Sequence, residues 1–159
     1  MMKKTALFFL KSAIFMIGLF VVGISIFGLP KLATYSAVVN PEFAFLKWPI
    51  LLGLYSTEIP FFLGLYKAYK LVVSIDTRKA FTIESVNNLR MIKCCAWIIS
   101  VVYIIGALYL FLQGALHPGI ALIGMVIVFA SVTISVFAAV LHKLLSHALE
   151  LKIENELTV

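Results

Sequence analysis

Long apolar stretches dominate the chain, and their lengths predict membrane-spanning helices. A helix needs about 20 consecutive apolar residues to cross the ~30 Å hydrocarbon core, at a rise of about 1.5 Å per residue. Four stretches satisfy this length, at about residues 6–29, 48–73, 94–112 and 118–141. The pattern therefore predicts an all-α fold, a four-span transmembrane helical bundle in which residues 1–159 form a single integral membrane domain.

A short polar cluster marks the boundary between spans three and four. No Asp, Glu, Lys or Arg occurs from Cys94 to Leu141, a stretch too long for one span and suited to two. Gln113, Gly114 and His117 interrupt it just before proline 118, and proline is tolerated in the first turn of a helix. We expect a tight turn here, after which span four begins.

Composition points to the same class of protein. The chain is 63% hydrophobic and 13% charged, whereas a soluble globular domain has about 25% charged residues. Its mean hydropathy is +1.10. A soluble core of this size does not have the volume to bury so much apolar surface, so composition excludes an ordinary soluble domain.

Lysine and arginine are distributed unevenly between the two predicted sides of the membrane. The side with both termini and the loop between spans two and three holds eleven basic residues, namely Lys3, Lys4, Lys11, Lys67, Lys70, Arg78, Lys79, Arg90, Lys93, Lys143 and Lys152. The other side holds Lys31 and Lys47. The positive-inside rule therefore predicts that the N- and C-termini are both cytoplasmic. The basic residues border the spans, where they contact anionic headgroups of the lipid bilayer, and this accounts for the net charge of +6. We therefore expect no direct nucleic acid binding.

An alternative interpretation of the first 35 residues is a cleaved signal peptide. Lys3 and Lys4 would form its basic region, but Lys11 interrupts the apolar stretch. That stretch is also longer than the usual apolar region of about 7 to 15 residues. Both features favour an uncleaved first span. Cleavage would instead leave three spans and move the N-terminus to the other side of the membrane.

The loop between spans two and three carries the pattern of a short amphipathic cytoplasmic helix. Thr82 is the predicted N-cap, and Phe81 before it is placed to pack on Val86. Val86 and Leu89 recur at helical spacing, with Asn87, Asn88 and Arg90 elsewhere on the helical wheel. Phe81, Val86, Leu89 and Arg90 are therefore candidate residues for binding a partner or the membrane surface. A solvated lead-in turn to span three is the structural alternative.

Several short runs, densest in this loop, carry a family resemblance: Ile59 to Phe62, Leu65 to Ala68, Lys70 and Leu71, Ile75 and Asp76, Ala80 to Thr82, Ser85 and Val86, Leu89, Ile92 and Lys93, Gly124 to Leu145, and Glu154 to Val159. Through these residues the chain resembles the bacterial YoaS-like family, catalogued as domain of unknown function 2975. The resemblance implies a four-span, multi-pass protein of the bacterial cytoplasmic membrane, often encoded beside a small helix-turn-helix transcription regulator. It implies no reaction, cofactor or catalytic residue.

One acidic residue, Glu58, falls about halfway along span two. A carboxylate at this depth costs about 2.5 to 3.5 kcal/mol on insertion scales, so we expect it to face the bundle and to be partnered or protonated. Pro60 removes a backbone donor nearby and can kink the helix. Proton coupling, ion binding or docking of a membrane protein are functional interpretations of this candidate intramembrane polar site. A neutral Glu58 bonded to a neighbouring hydroxyl is the structural one.

Small residues in span four predict close helix packing. Ser131, Ser135 and Ala139 recur every four residues and line one stripe, and Ala96 and Ser100 form a weaker stripe in span three. We interpret the stripe as a contact within the bundle. A seam between two copies of the chain, and so a homo-oligomer, is the alternative.

The sequence contains none of the common catalytic or metal-binding motifs. It has no phosphate-binding loop, no hydrolase elbow and no paired histidines at the spacing of a zinc helix. His142 and His147 are five residues apart, and the adjacent Cys94 and Cys95 point in different directions on a helix. We therefore expect no catalytic residue, no metal site, no cofactor and no enzymatic activity.

Three functional hypotheses follow. The first is a non-enzymatic regulatory or immunity-type protein that acts through a protein partner, either a helix-turn-helix regulator or another membrane protein. The second is a small permease or proton-coupled channel component centred on Glu58. The third is an accessory subunit of a larger membrane complex. The sequence does not identify the partner, the ligand or the oligomeric state.

Overall fold

The computed structural model describes residues 2–77 and 79–157, with side chains from residue 4 to 155 within those ranges. Its elements are α1 (Met2–Gly23), a π-helical turn (Ile24–Gly28), α2 (Leu29–Val39), a 3-10 turn (Pro41–Leu46), α3 (Lys47–Asp76), α4 (Ile83–Leu112) and α5 (Pro118–Leu157). The described residues contain no strand. Four helical segments are long and apolar enough to cross a membrane, at Lys4–Val39, Pro41–Asp76, Ile83–Leu112 and Pro118–Asn155. The all-α, four-span prediction is confirmed.

The helical segments are longer than a membrane is thick. They contain 30 to 38 residues, which corresponds to about 45 to 57 Å at about 1.5 Å per residue. Residues 30–47 lie between the first two predicted spans, where a loop is expected, but α2 and the 3-10 turn occupy most of them. Helical structure therefore continues beyond the hydrocarbon core.

The π-helical turn explains how the first segment remains helical through Pro30. The Leu29 N–H donates to the carbonyl of Ile24, five residues earlier. The next bond of this pattern would come from residue 30, but proline has no N–H, so the Ser25 carbonyl loses its intrahelical donor. The Tyr55 hydroxyl of α3 donates to this carbonyl at 3.0 Å. A backbone group freed by proline thus becomes a contact between two spans.

The helices pack in the order in which they occur in the chain. Contacts are most extensive between α4 and α5, then between α3 and α4, and are much fewer between α1 and α3. Neighbours run antiparallel, because Lys11 of α1 pairs with Asp76 of α3 at 2.7 Å, whereas at the opposite end Lys47 donates to Thr34 at 3.1 Å. We call the end where α1 and α4 begin and α3 and α5 end the lysine-rich end. The bundle is therefore an open row.

Small and hydroxylated side chains form the contact between α4 and α5. Ser100 is fully buried, and Ser131, Ser135 and Ala138 are more than nine-tenths buried. The Ser135 hydroxyl donates to the carbonyl of Lys93 at 3.2 Å, and the Ser100 hydroxyl to the carbonyl of Ala96 at 3.0 Å. Small side chains let two helices approach closely, which replaces the hydrophobic driving force that is missing in lipid.

Thr82 is the N-cap of α4, as predicted. Its backbone is extended, and its hydroxyl accepts from the Ser85 N–H at 3.3 Å. The short helix predicted between spans two and three is not a separate element, because α4 is continuous from Ile83 to Leu112. The physical reason is that no proline occurs in this stretch and its first glycine is Gly106. The lead-in and span three therefore form one helix.

Tyr55→Phe is expected to weaken the contact between α1 and α3. The change leaves the Ser25 carbonyl without a donor and should lower the free energy of unfolding by about 0.5 to 1.5 kcal/mol, measured by thermal unfolding of the purified protein in mild detergent. Tyr109→Phe is the matched control, because Tyr109 has a similar exposure (38% against 36%). Equal midpoints for the two variants would contradict the structural role of the Tyr55 hydroxyl.

Ser135→Leu is expected to separate α4 from α5. Extra methylenes in a closely packed contact typically cost about 1 to 3 kcal/mol, so the unfolding midpoint should fall by several degrees. Val136→Leu is the control, because Val136 is 59% exposed and has space around it. The contact would be unimportant if Ser135→Leu unfolded at the wild-type temperature.

Candidate functional site

Glu58 lies near the middle of α3 and is partly buried there. Its Oε1 atom is buried, with no hydrogen-bond partner among the described residues. Neighbouring Thr57 is 93% buried, since its relative exposure is 7%. A carboxylate oxygen without a donor is rare inside a protein because burying an unpaired polar group costs several kcal/mol. Glu58 is therefore an unusual acidic group within the described part of the spans.

Tyr103 of α4 lies near this position. Its hydroxyl interacts electrostatically with both Thr57 and Glu58. The antiparallel register of α3 and α4 brings these three residues close together. The same register packs Gly64 of α3 against Cys95 of α4, so closely that a Cβ atom added to Gly64 would lie 3.4 Å from the Cβ of Cys95. Sequence reasoning missed Tyr103, because a tyrosine in an apolar span resembles any membrane-embedded aromatic residue. The register of α3 against α4 is what reveals it.

Pro60 leaves one backbone acceptor of α3 without its helical donor, two residues from Glu58 in the sequence. Pro60 is buried, and α3 continues through it. Since proline has no N–H, the Ser56 carbonyl four residues earlier lacks its helical donor. The nearby hydroxyls do not supply protons to Glu58, because Ser56 donates to the Gly53 carbonyl and Thr57 to the Leu54 carbonyl, both at 2.7 Å. The neighbouring hydroxyls of α3 therefore leave the Glu58 Oε1 atom without a donor.

No described basic side chain pairs with Glu58. The ion pairs of Lys11 with Asp76 and of Lys70 with Glu84 lie at the lysine-rich end. Along α3 the nearest basic residue is Lys67, about 14 Å away along the helix axis at about 1.5 Å per residue. Glu58 therefore has no protein cation to neutralise it within the described residues.

A second candidate site is an apolar groove of about 360 Å³ at the lysine-rich end. The groove is lined by residues of α3, the following loop, α4 and α5, among them Leu71, Ile75, Phe81, Leu89, Leu141 and Leu144. Of the predicted partner-binding residues, the structure places Phe81 and Leu89 together here. Val86 is half-buried and is not part of the lining, and Arg90 is exposed. The groove therefore contains two of the four predicted residues.

Asn88 corrects the predicted helical wheel. The sequence placed Asn88 away from the apolar side of the helix, but it is only 2% exposed, and its Nδ2 atom has no partner among the described residues. The reason is that α4 packs against both α3 and α5. Two flanking helices bury a wider arc of α4 than a single amphipathic stripe would, and a polar residue falls inside it.

The predicted stripe of small residues faces α4. Ser131 and Ser135 are buried, Ala139 is half-buried, and the neighbouring Ala138 is 3% exposed. The structure therefore places Ser131 and Ser135 in a packing contact within the chain. Among the described residues, no group of three or more His, Cys, Asp or Glu side chains is arranged to hold a metal ion.

Comparisons with known proteins place the chain in a family. The model of a family described as "Protein of unknown function (DUF2975)" matches residues 31–159. The "Uncharacterized membrane protein YoaS" of Bacillus subtilis (strain 168) is 46% identical over 160 residues, which cover 99% of this chain and all of that protein. No solved structure is significantly similar. The resemblance found in the sequence is confirmed: the chain is a membrane protein that belongs to the DUF2975 family.

Proposed function

We propose that the chain is a non-enzymatic regulatory membrane protein that binds an amphipathic helix of a protein partner in the groove at the lysine-rich end. The observation that carries this proposal is the exposed apolar lining of that groove. Phe81 is 53% exposed and Leu144 is 61% exposed. Large apolar side chains grouped on one surface mark a site of interaction.

The position of the groove favours a protein over lipid tails. Ile75, Phe81 and Leu144 all follow the predicted ends of the spans, near residues 73 and 141. At this level the helices leave the hydrocarbon core, so lipid tails do not cover these side chains. A helix that lays its apolar face into a groove is a common mode of recognition and would exclude water from this lining.

The charges around the groove indicate an acidic partner. Lys79, Arg90 and Lys143 are exposed in the segments that line the groove. The acidic Asp76 and Glu84 at this end are paired with lysines. A helix with acidic residues beside its apolar face is therefore complementary to this surface, and complementary charge increases both the association rate and specificity.

The unequal distribution of basic residues supports an orientation with the lysine-rich end in the cytoplasm. A cytoplasmic groove of this kind is accessible to soluble bacterial proteins. The family resemblance suggests one candidate, the helix-turn-helix regulator often encoded beside members of this family. Regulation would then consist of holding such a protein at the cytoplasmic membrane.

The orientation predicts a specific labelling pattern. In a variant with Cys94 and Cys95 replaced by alanine, Tyr35→Cys should react with a membrane-impermeant maleimide on intact cells, because Tyr35 is exposed at the end opposite the lysine-rich end. Leu151→Cys should react only after the membrane is permeabilised. The opposite pattern would place the groove outside the cytoplasm.

Phe81→Glu is expected to abolish partner binding without unfolding the chain. Loss of a central aromatic contact costs about 2 kcal/mol or more, or at least about 30-fold in affinity. Recovery of the partner with tagged protein from native membranes, quantified by mass spectrometry, measures this loss. Ile83→Glu is the control, because Ile83 is close in sequence and 67% exposed but does not line the groove.

Leu144→Glu tests the same groove from α5 and should have the same effect as Phe81→Glu. Partner recovery that stays at the wild-type level in both variants would contradict the proposed groove. A partner lost with Ser135→Leu but retained with Phe81→Glu would instead indicate a contact within the membrane, as expected for an accessory subunit.

A further inference from the structure

The ionised form of Glu58 would be an uncompensated charge inside the membrane. Its Oε1 is buried without a donor, and a buried charge is tolerated only when it is paired and hydrogen-bonded. The carboxylates of Asp76 and Glu84, in contrast, are each paired with a lysine at the lysine-rich end. Glu58 must therefore obtain a positive charge from outside the chain.

The helices packed against α3 supply few groups that could neutralise Glu58. The first span has no Asp, Glu, Lys, Arg, His, Cys or Tyr between Lys11 and Lys31. From α4 the titratable group that faces Glu58 is Tyr103. On α3 itself, the hydroxyl of Tyr55 is already bonded to the Ser25 carbonyl. Tyr103 is thus the one remaining side-chain donor described here, and it is neutral.

The atoms around Glu58 suit a small, hard cation. The Glu58 carboxylate provides one negative charge, and the hydroxyl oxygens of Thr57 and Tyr103 lie nearby. Hard cations prefer oxygen ligands such as carboxylates and hydroxyls. A single carboxylate matches a monovalent ion better than a divalent one.

We infer that Glu58, with the Tyr103 hydroxyl near it, is an intramembrane binding site for one monovalent cation, a proton or Na⁺. The site is independent of the groove, because Glu58 and Ile75 are about 25 Å apart along α3 at about 1.5 Å per residue. Loss of one site is therefore not expected to remove the other.

Infrared spectroscopy of the full chain in phosphatidylcholine vesicles tests the proton. If the site holds a proton, wild-type protein has the carbonyl band of a protonated carboxylic acid at neutral pH, and Glu58→Gln loses it. Glu84→Gln is the control and keeps the band, because Glu84 is exposed and paired with Lys70. Tyr103→Phe should shift the band, since it removes the hydroxyl that faces Glu58.

Thermal unfolding in NaCl against choline chloride at equal ionic strength tests Na⁺. If the site holds Na⁺, a concentration about 100 times its Kd should raise the midpoint of wild-type protein and Glu84→Gln by about 5 to 10 °C, but not that of Glu58→Gln. If Glu58→Gln does not fold, Glu58→Asp is the substitute variant, because it retains the carboxyl group. Glu58→Asp should then show a displaced carbonyl band or a smaller effect of Na⁺ on the midpoint. Absence of both the band and the Na⁺ effect in wild-type protein would overturn the inference.

Discussion

In hydrocarbon, every backbone N–H and C=O must find its partner within the protein, and this constraint underlies the rest of the structure. Helices satisfy it locally, which is why the described residues are almost entirely helical. Two prolines violate it inside apolar segments. At Pro30 the chain forms a π-helical turn and the Tyr55 hydroxyl bonds to the freed Ser25 carbonyl. At Pro60, α3 continues and the Ser56 carbonyl has no helical donor.

The same constraint accounts for the limited contacts between the helices. Lipid tails are as apolar as leucine, so helices associate through close packing and hydrogen bonds. The α4–α5 contact has small side chains and the bond from Ser135 to the Lys93 carbonyl. The α1–α3 contact depends on Tyr55 and on the exposed Lys11–Asp76 pair. The first span is consequently the least firmly held part of the bundle.

The two candidate sites lie in different solvents. Glu58 is among apolar helices, where an unpaired charge is costly and a proton or Na⁺ is the available remedy. The groove lies at the lysine-rich end, near the predicted ends of the spans, where its apolar lining would otherwise meet water. Each site is unusual for its surroundings, because Glu58 is a polar group in an apolar medium and the groove is an apolar surface in a polar medium. A function at either site would use that mismatch.

The sequence by itself determined the class of protein, the number of spans, the turn before Pro118, the N-cap at Thr82 and the family. These features depend on residues that are close together in the chain. Only the tertiary structure placed Tyr103 opposite Glu58, joined Tyr55 to Ser25 and buried Asn88. The reason is that an apolar helix face looks the same whether it meets lipid or protein, so helix register and neighbours are not encoded in any local pattern.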